Sequence, residues 1–114
     1  MELATLEKHL LQDRQFLFMK LKEMKDCVIK AAESERAYRV ALSQKMTEFR
    51  AEGTPITIMG DLCRGDKVIA KLKLDRDIAR GMSDACRQSI ISLQSSISGL
   101  QTLISSRKAE MQLI

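Results

Sequence analysis

The chain has 114 residues, of which 45% are hydrophobic and 30% charged, a composition typical of one folded domain and not of a disordered tail. Its net charge of +4 favours an acidic partner only mildly. No apolar run reaches the roughly 18 residues of a membrane span, and the start of the chain lacks a secretory signal, so we expect a cytoplasmic protein with no membrane partner.

Three cysteines, Cys27, Cys63 and Cys86, are too few and too widely spaced for a disulfide framework or a C-x-x-C metal knuckle. We expect them to be reduced and mostly buried.

The first arm, residues 2–52, is predicted to be one long helix because it contains neither glycine nor proline. Apolar or aromatic residues recur in it every seven positions, at Leu3, Leu10, Leu17, Met24, Ala31 and Tyr38. The positions four further on are predicted to complete a coiled-coil-like stripe through Leu21, Val28, Leu42 and Phe49. Such a rod cannot fold around itself, so the stripe must pack on another element.

Two segments of this arm suggest contacts beyond the stripe. The cluster Phe16–Met19 is wider than one stripe, and it predicts either a contact with a partner protein or packing against another copy of the chain. The segment Glu33–Arg39 is dense in charge and is typical of a solvated helix face, with Glu35 and Arg39 four residues apart. The alternative is a nucleotide site that combines stacking and charge, formed by Arg36, Tyr38 and Arg39.

The joint, residues 53–66, contains the only proline and three of the five glycines. Gly53 is predicted to end the first helix and Pro55 to prevent its resumption. A short helical piece from Thr57 to Cys63 is expected, with Asp66 as N-cap of the next helix. The joint does not match a phosphate-binding loop, because Asp66 stands where that loop requires lysine. Four apolar residues are expected to cover the end of the arms as a plug: Ile56, Ile58, Met59 and Leu62.

The second arm, residues 67–112, shows apolar residues at steps of three and four, at Ala79, Met82, Cys86, Ile90, Leu93, Ile97, Leu100 and Ile104. The start of this arm and the end of the first form the most basic region of the chain. Its candidate phosphate or nucleic-acid contacts are Arg50, Arg64, Lys67, Lys71, Lys73 and Arg76. Interleaved aspartates favour a salt-bridged helix instead.

The end of the second arm is rich in serine and lacks charge between Gln88 and Thr102. Small residues at Ser92, Ser96 and Gly99 would let another helix approach closely, whereas a solvated face normally carries lysine and glutamate. We expect this face, with Phe16 and Phe18 of the first arm, to be an oligomer interface.

No motif predicts catalysis or a cofactor. The sequence places no cysteine or carboxylate to form a nucleophile–base arrangement with the single histidine, His9. Asp61 and Asp66 are a poor metal signature, and Cys63 near Arg64 is only a candidate reactive thiol. We therefore expect no enzyme activity and no metal site.

The central portion of the chain, residues 38–85, resembles a group of small bacteriophage and prophage proteins. The matching residues are Tyr38, Ala41, Leu42, Arg50, Ala51, Glu52, Gly53, Pro55, Thr57, Asp61, Leu62, Arg64, Gly65, Asp66, Val68, Ala70 and Leu72. The resemblance implies a phage accessory protein with a helix, a turn and a helix, and it implies no activity and no functional residues.

Together these features predict an all-α protein of one domain, residues 1–114, in which two long antiparallel helices are joined by a Gly/Pro turn with a short helical plug. One seam buries too little to offset the ordering entropy, so we expect a homodimer or higher helical bundle. The predicted function is protein–protein interaction, which could modulate a host defence or replication factor. The alternatives are a nucleic-acid-binding accessory to recombination or replication, and sequestration of an anionic nucleotide signal near the joint. The chain has only four aromatic residues, and this scarcity weakens both nucleotide-binding alternatives, because base stacking needs aromatic rings.

Overall fold

The computed structural model describes residues 2–113, and over these residues the chain forms three helices and no strand. Helix α1 spans Leu3–Ala51, α2 spans Ile56–Gly65 and α3 spans Lys67–Gln112. The all-α prediction is confirmed. None of these helices combines the length and apolarity needed to cross a bilayer.

The end of α1 is fixed by a glycine in the left-handed region, as predicted. Gly53 has φ 78°, and its N–H donates to the carbonyl of Arg50 at 3.1 Å. The N–H of Thr54 donates to the carbonyl of Phe49 at 2.9 Å. These two bonds form a Schellman motif, which satisfies carbonyl groups that the helix end would otherwise leave without partners.

Asp66 begins α3 as the predicted N-cap. Its backbone is extended, with φ −70° and ψ 128°, and its Oδ1 accepts hydrogen bonds from the N–H groups of Val68 and Ile69, both at 3.0 Å. The Nζ of Lys45 lies 3.3 Å from Asp66 Oδ2. The hydrogen bond from Ile69 is the largest cause of a lowered Asp66 pKa, and Lys45 adds to it against an opposing desolvation. The carboxylate is thus held in its charged form.

We expect Asp66→Asn to reduce the acid sensitivity of the fold. Because the folded-state pKa of Asp66 lies below its unfolded value, the unfolded chain takes up the proton first, and the stabilisation is lost as the pH falls below about 4. Asparagine still caps the helix but carries no charge. Urea midpoints measured at decreasing pH should therefore fall less for Asp66→Asn than for the native chain. Parallel declines would contradict this assignment.

The chain divides into two compact units. The terminal unit combines Met1–Lys25 with Asp84–Ile114, and the central unit is Asp26–Ser83. In the terminal unit α1 and α3 run antiparallel, since Ser96 Oγ donates to Asp13 Oδ2 and the Cys86 thiol lies 3.5 Å from the carbonyl oxygen of Lys20. Three apolar side chains are buried there: Leu6, Cys86 and Ile104.

The central unit packs α2 against antiparallel segments of α1 and α3. Its buried apolar side chains are Met59 and Cys63 from α2, with Ile69 and Ala79 from α3. The plug prediction is right for Met59 and wrong for the other three residues, because Ile56, Ile58 and Leu62 are exposed. A ten-residue helix presents one face to its neighbours, and Met59 and Cys63, four residues apart, occupy that face.

The seam between the long helices differs from the predicted stripe. The residues of α1 that face inward beside Leu3, Leu10 and Leu17 are Leu6, Asp13 and Lys20. Each lies three positions further along the chain, whereas the predicted stripe used the positions four further on. The predicted members Leu21 and Val28 are exposed. On α3, Ser83 is buried where Met82 was expected, and Met82 is exposed. Small side chains at the seam let helix backbones approach closely, which a row of large apolar residues would prevent.

Candidate functional site

A cluster of charged side chains surrounds Glu35 in the central unit. Glu35 accepts a hydrogen bond from Arg39 Nε at 2.6 Å and another from Arg80 Nη2 at 2.8 Å, and Arg76 Nε lies 3.6 Å away. The hydrogen bond from Arg39 is the main cause of a lowered Glu35 pKa, and desolvation opposes it. One carboxylate therefore holds three guanidinium groups, and the cluster remains cationic.

Arg76 joins this cluster to the only tyrosine. Its guanidinium carbon lies 4.5 Å from the centroid of the Tyr38 ring, and its side chain is only 15% exposed. Asp77 Oδ1 accepts hydrogen bonds from its Nε and Nη2, both at 3.1 Å. A half-buried guanidinium between a carboxylate and an aromatic face is typical of a structural contact. Arg76 is thus not free to bind a phosphate.

The structure does not assemble the predicted nucleotide site from Arg36, Tyr38 and Arg39. Arg36 and Tyr38 are two residues apart on α1, which places them about 200° apart around the helix. The guanidinium of Arg76 covers one face of Tyr38, and Glu35 holds Arg39.

The six predicted phosphate contacts divide into two groups. Three form ion pairs, as Arg64 lies 2.5 Å from Asp61, Lys71 3.0 Å from Asp75 and Arg76 3.1 Å from Asp77. The other three, Arg50, Lys67 and Lys73, form no ion pair within residues 2–113. Asp61 and Asp66, considered as cation ligands, are engaged with Arg64 and the start of α3. No group of three or more metal-ligating side chains occurs among the described residues.

Five of the predicted residues do meet on one surface of the central unit. Two adjoining depressions share Leu42 and Met46 as their floor, with volumes of 350 and 200 Å³. The larger is bordered by Tyr38, Arg64 and Lys73, and the smaller by Arg39 and Arg50. We call this surface the Leu42–Met46 basin. The sequence analysis assigned the cations of this basin to two different candidate sites. It did not predict the apolar floor, because it assigned Leu42 to the seam between the long helices.

The predicted oligomer interface of the terminal unit is divided between two sides. Phe16 lies one turn from Asp13, whose carboxylate accepts the hydrogen bond from Ser96, so Phe16 and Ser96 share a side. Phe18 lies about 200° around α1 from Phe16 and points elsewhere. Ser92 and Gly99 are exposed, and a side chain added at Gly99 would meet nothing within 4 Å. The two phenylalanines therefore belong to different surfaces.

Phe18 belongs to a row that sequence reasoning missed. Its apolar members are Leu11, Phe18 and Leu21, with exposures of 58%, 63% and 51%. Three charged residues share this face with them, and the six positions are separated by the steps of four and three that keep one helix face. We call the set the outer row, and it consists of Glu7, Leu11, Arg14, Phe18, Leu21 and Lys25. Its signal in the sequence is the seven-residue step from Leu11 to Phe18 followed by the three-residue step to Leu21, which the longer repeat through Leu3, Leu10 and Leu17 concealed.

Comparison of the chain with protein-family models, curated proteins and solved structures gives no match. The resemblance to bacteriophage proteins therefore stays a prediction, and the functional argument depends on the geometry of the two surfaces.

Proposed function

We propose that this protein is not an enzyme and acts by self-association, with two or more helical hairpins assembling through the outer row into a bundle that presents a surface to a host or phage protein. The observation that carries the proposal is the exposure of Leu11, Phe18 and Leu21 at coiled-coil spacing on one face of α1. An exposed apolar row of this kind is normally covered by another helix.

The order of residues in the outer row favours a second copy of the chain as the covering helix. The row reads the same way from both ends about residue 16, with steps of four, three, four, three and four. If two copies of α1 pair antiparallel about a two-fold axis, Leu11 faces Leu21 of the second copy and Arg14 faces its Phe18. The charges match as well, since Glu7 then faces Lys25. A two-fold interface requires such self-complementarity.

These residues are available for the contact. Glu7, Arg14 and Lys25 are exposed and form no ion pair within residues 2–113. Lys22 Nζ lies 4.8 Å from the centroid of the Phe18 ring and covers one face, so the facing Arg14 would stack on the other face as a second cation.

Size exclusion with light scattering tests the proposal on the native chain. The expected mass is twice the 12.9 kDa of one chain, or a higher multiple, and it should fall on dilution. A mass of one chain at the highest soluble concentration would overturn self-association.

The facing charges give a sharper test of the pairing. Glu7→Lys alone places two cations together at each end of the row, and Lys25→Glu alone places two anions there. Each single reversal should weaken the dimer by roughly 3- to 30-fold, and the double variant should recover most of the affinity. Additive losses in the double variant would show that Glu7 and Lys25 do not face each other.

The nucleic-acid alternative keeps three cations without ion pairs, Arg50, Lys67 and Lys73. It predicts binding that weakens steeply as salt increases. The chain contains no tryptophan and one tyrosine, so bound nucleic acid would dominate the ultraviolet absorbance of the purified protein. A co-purifying polynucleotide that salt removes would favour this alternative over self-association alone.

A cytoplasmic location, in a bacterial host if the chain is phage-encoded, is part of the proposal. It is supported by the three cysteines, which are all free and of which Cys63 and Cys86 are buried. Unpaired cysteines are typical of proteins from reducing compartments.

A further inference from the structure

The Leu42–Met46 basin has an unusual distribution of charge. Four cationic side chains line its two depressions, Arg39, Arg50, Arg64 and Lys73, and no carboxylate lines either one. By contrast, the neighbouring depressions of the central unit include Glu48 and Asp66 in one case and Glu33 in the other. The basin is therefore cationic, whereas carboxylates border the two depressions beside it.

Two of the four cations have no carboxylate that offsets their charge. Glu35 holds Arg39 at 2.6 Å and Asp61 holds Arg64 at 2.5 Å, whereas Arg50 and Lys73 form no ion pair among the described residues. Each arm of the chain thus contributes one uncompensated cation to the edge of the basin. Opposite charge in a ligand would be attracted to this edge.

The floor of the basin is apolar. Leu42 and Met46 are half-buried and shared by both depressions, and Ile69 and Cys63 are buried beneath the larger one. The volume of 350 Å³ for that depression is within the range of small-molecule sites. An apolar floor beside unpaired cations favours a ligand with an apolar body and an anionic group.

A nucleotide fits this surface poorly. The only aromatic side chain in the lining is Tyr38, and Arg76 already covers one face of its ring at 4.5 Å. The Thr47 hydroxyl donates to the carbonyl of Ser43 at 2.9 Å, which leaves it less available to the edge of a base. Nucleobase binding needs stacking and edge contacts, and the basin offers little of either.

We propose that the Leu42–Met46 basin binds a small amphipathic anion, with its apolar body on Leu42 and Met46 and its carboxylate or phosphate attracted by the two uncompensated cations, Lys73 beside the larger depression and Arg50 beside the smaller. This site lies in the central unit and does not involve the outer row. Binding and self-association can therefore fail independently.

The test is a titration of the native protein with decanoate below its micellar concentration, followed by calorimetry and by the NMR signal of the Met46 methyl group. Decanoate should bind and shift the Met46 signal, while decanol and inorganic phosphate should bind at least about 10-fold more weakly, because each lacks one half of the recognition. Equal binding of decanol would overturn the role of the cations. Equal binding of phosphate, or an unshifted Met46 signal, would overturn the role of the floor.

Matched charge reversals test the edge of the basin. Lys73→Glu should weaken decanoate binding by at least about 10-fold, because it turns attraction into repulsion. Lys67→Glu is the control, since Lys67 is also an exposed lysine of α3 without an ion pair but lies outside the basin. Equal effects of the two reversals would overturn the site and indicate attraction by net charge alone. Arg50→Glu, beside the smaller depression of the basin, repeats the test if Lys73→Glu does not fold.

Vesicles distinguish a free amphiphile from a membrane lipid as the source of the anion. Sedimentation with phosphatidylglycerol vesicles but not with phosphatidylcholine vesicles, lost in Lys73→Glu and kept in Lys67→Glu, would support the site and identify a lipid. Decanoate binding without sedimentation would support a free amphiphile. Sedimentation unaffected by Lys73→Glu, together with no binding of decanoate, would overturn the proposal.

Discussion

Phe18→Asp is expected to convert the assembled protein into a monomer. Phe18 is the largest apolar side chain of the outer row and is 63% exposed in the single chain. In a two-fold pairing it is replaced in both copies, so a charge enters the interface twice. Loss of a central aromatic contact typically costs 2 to 4 kcal/mol, so we expect the dissociation constant to increase by at least about 100-fold. Sedimentation velocity over a dilution series measures it.

Phe16→Asp is the matched control. Phe16 is also an exposed phenylalanine of α1, at 55%, but it lies on the side of Ser96 and outside the outer row. It should leave the assembly intact if the outer row is the interface. If Phe16→Asp dissociates the protein and Phe18→Asp does not, the interface is the serine face of Ser92, Ser96 and Gly99.

Met59→Ala is expected to produce the largest loss of stability among single truncations in α2. Met59 is 3% exposed and packs in the core of the central unit, so its truncation removes buried apolar atoms and leaves a cavity. The expected decrease in the free energy of unfolding is about 2 to 5 kcal/mol, a large part of the 5 to 15 kcal/mol typical of a domain. Urea unfolding followed by circular dichroism, at one protein concentration, measures it.

Ile56→Ala provides the comparison within the same helix. Ile56 is 85% exposed, so its truncation should change the free energy of unfolding by less than about 0.5 kcal/mol. Similar losses for the two variants would mean that α2 does not pack through the Met59 face. An effect of Ile56→Ala on assembly, without an effect on unfolding, would place α2 at an interface.

Short-range signals predicted the helices and their ends. The absence of glycine and proline before residue 53 is sufficient to predict α1, because every residue in that stretch tolerates helical geometry. Gly53 is predictable as the residue that ends α1 because glycine, without a Cβ, accepts a positive φ, and Asp66 is predictable as an N-cap because its carboxylate accepts backbone N–H groups; both carry out those roles. Caps involve residues within one turn, so no distant contact is needed to predict them.

The faces of the helices could not be predicted in the same way. Leu21 and Val28 fit a repeat as well as any residue of α1, but they are exposed while Asp13 and Lys20 lie at the seam. The sequence contains two overlapping apolar repeats on α1, and periodicity alone does not decide which one faces α3. Of the basin's cations, Arg50 lies on α1 and Lys73 on α3, and only folding places them beside two depressions that share Leu42 and Met46.

By itself, the sequence determined that the chain is helical, where α1 ends and α3 begins, and which residues cap those two ends. These properties depend on neighbours within about one helical turn. Only the tertiary structure decided which apolar row is buried, which of the candidate cations are neutralised by carboxylates, and that Leu42 and Met46 form the floor of a cationic basin. Burial and pairing depend on residues that are distant in the sequence, as Glu35 and Arg80 are, and their approach is fixed by the packing of whole helices.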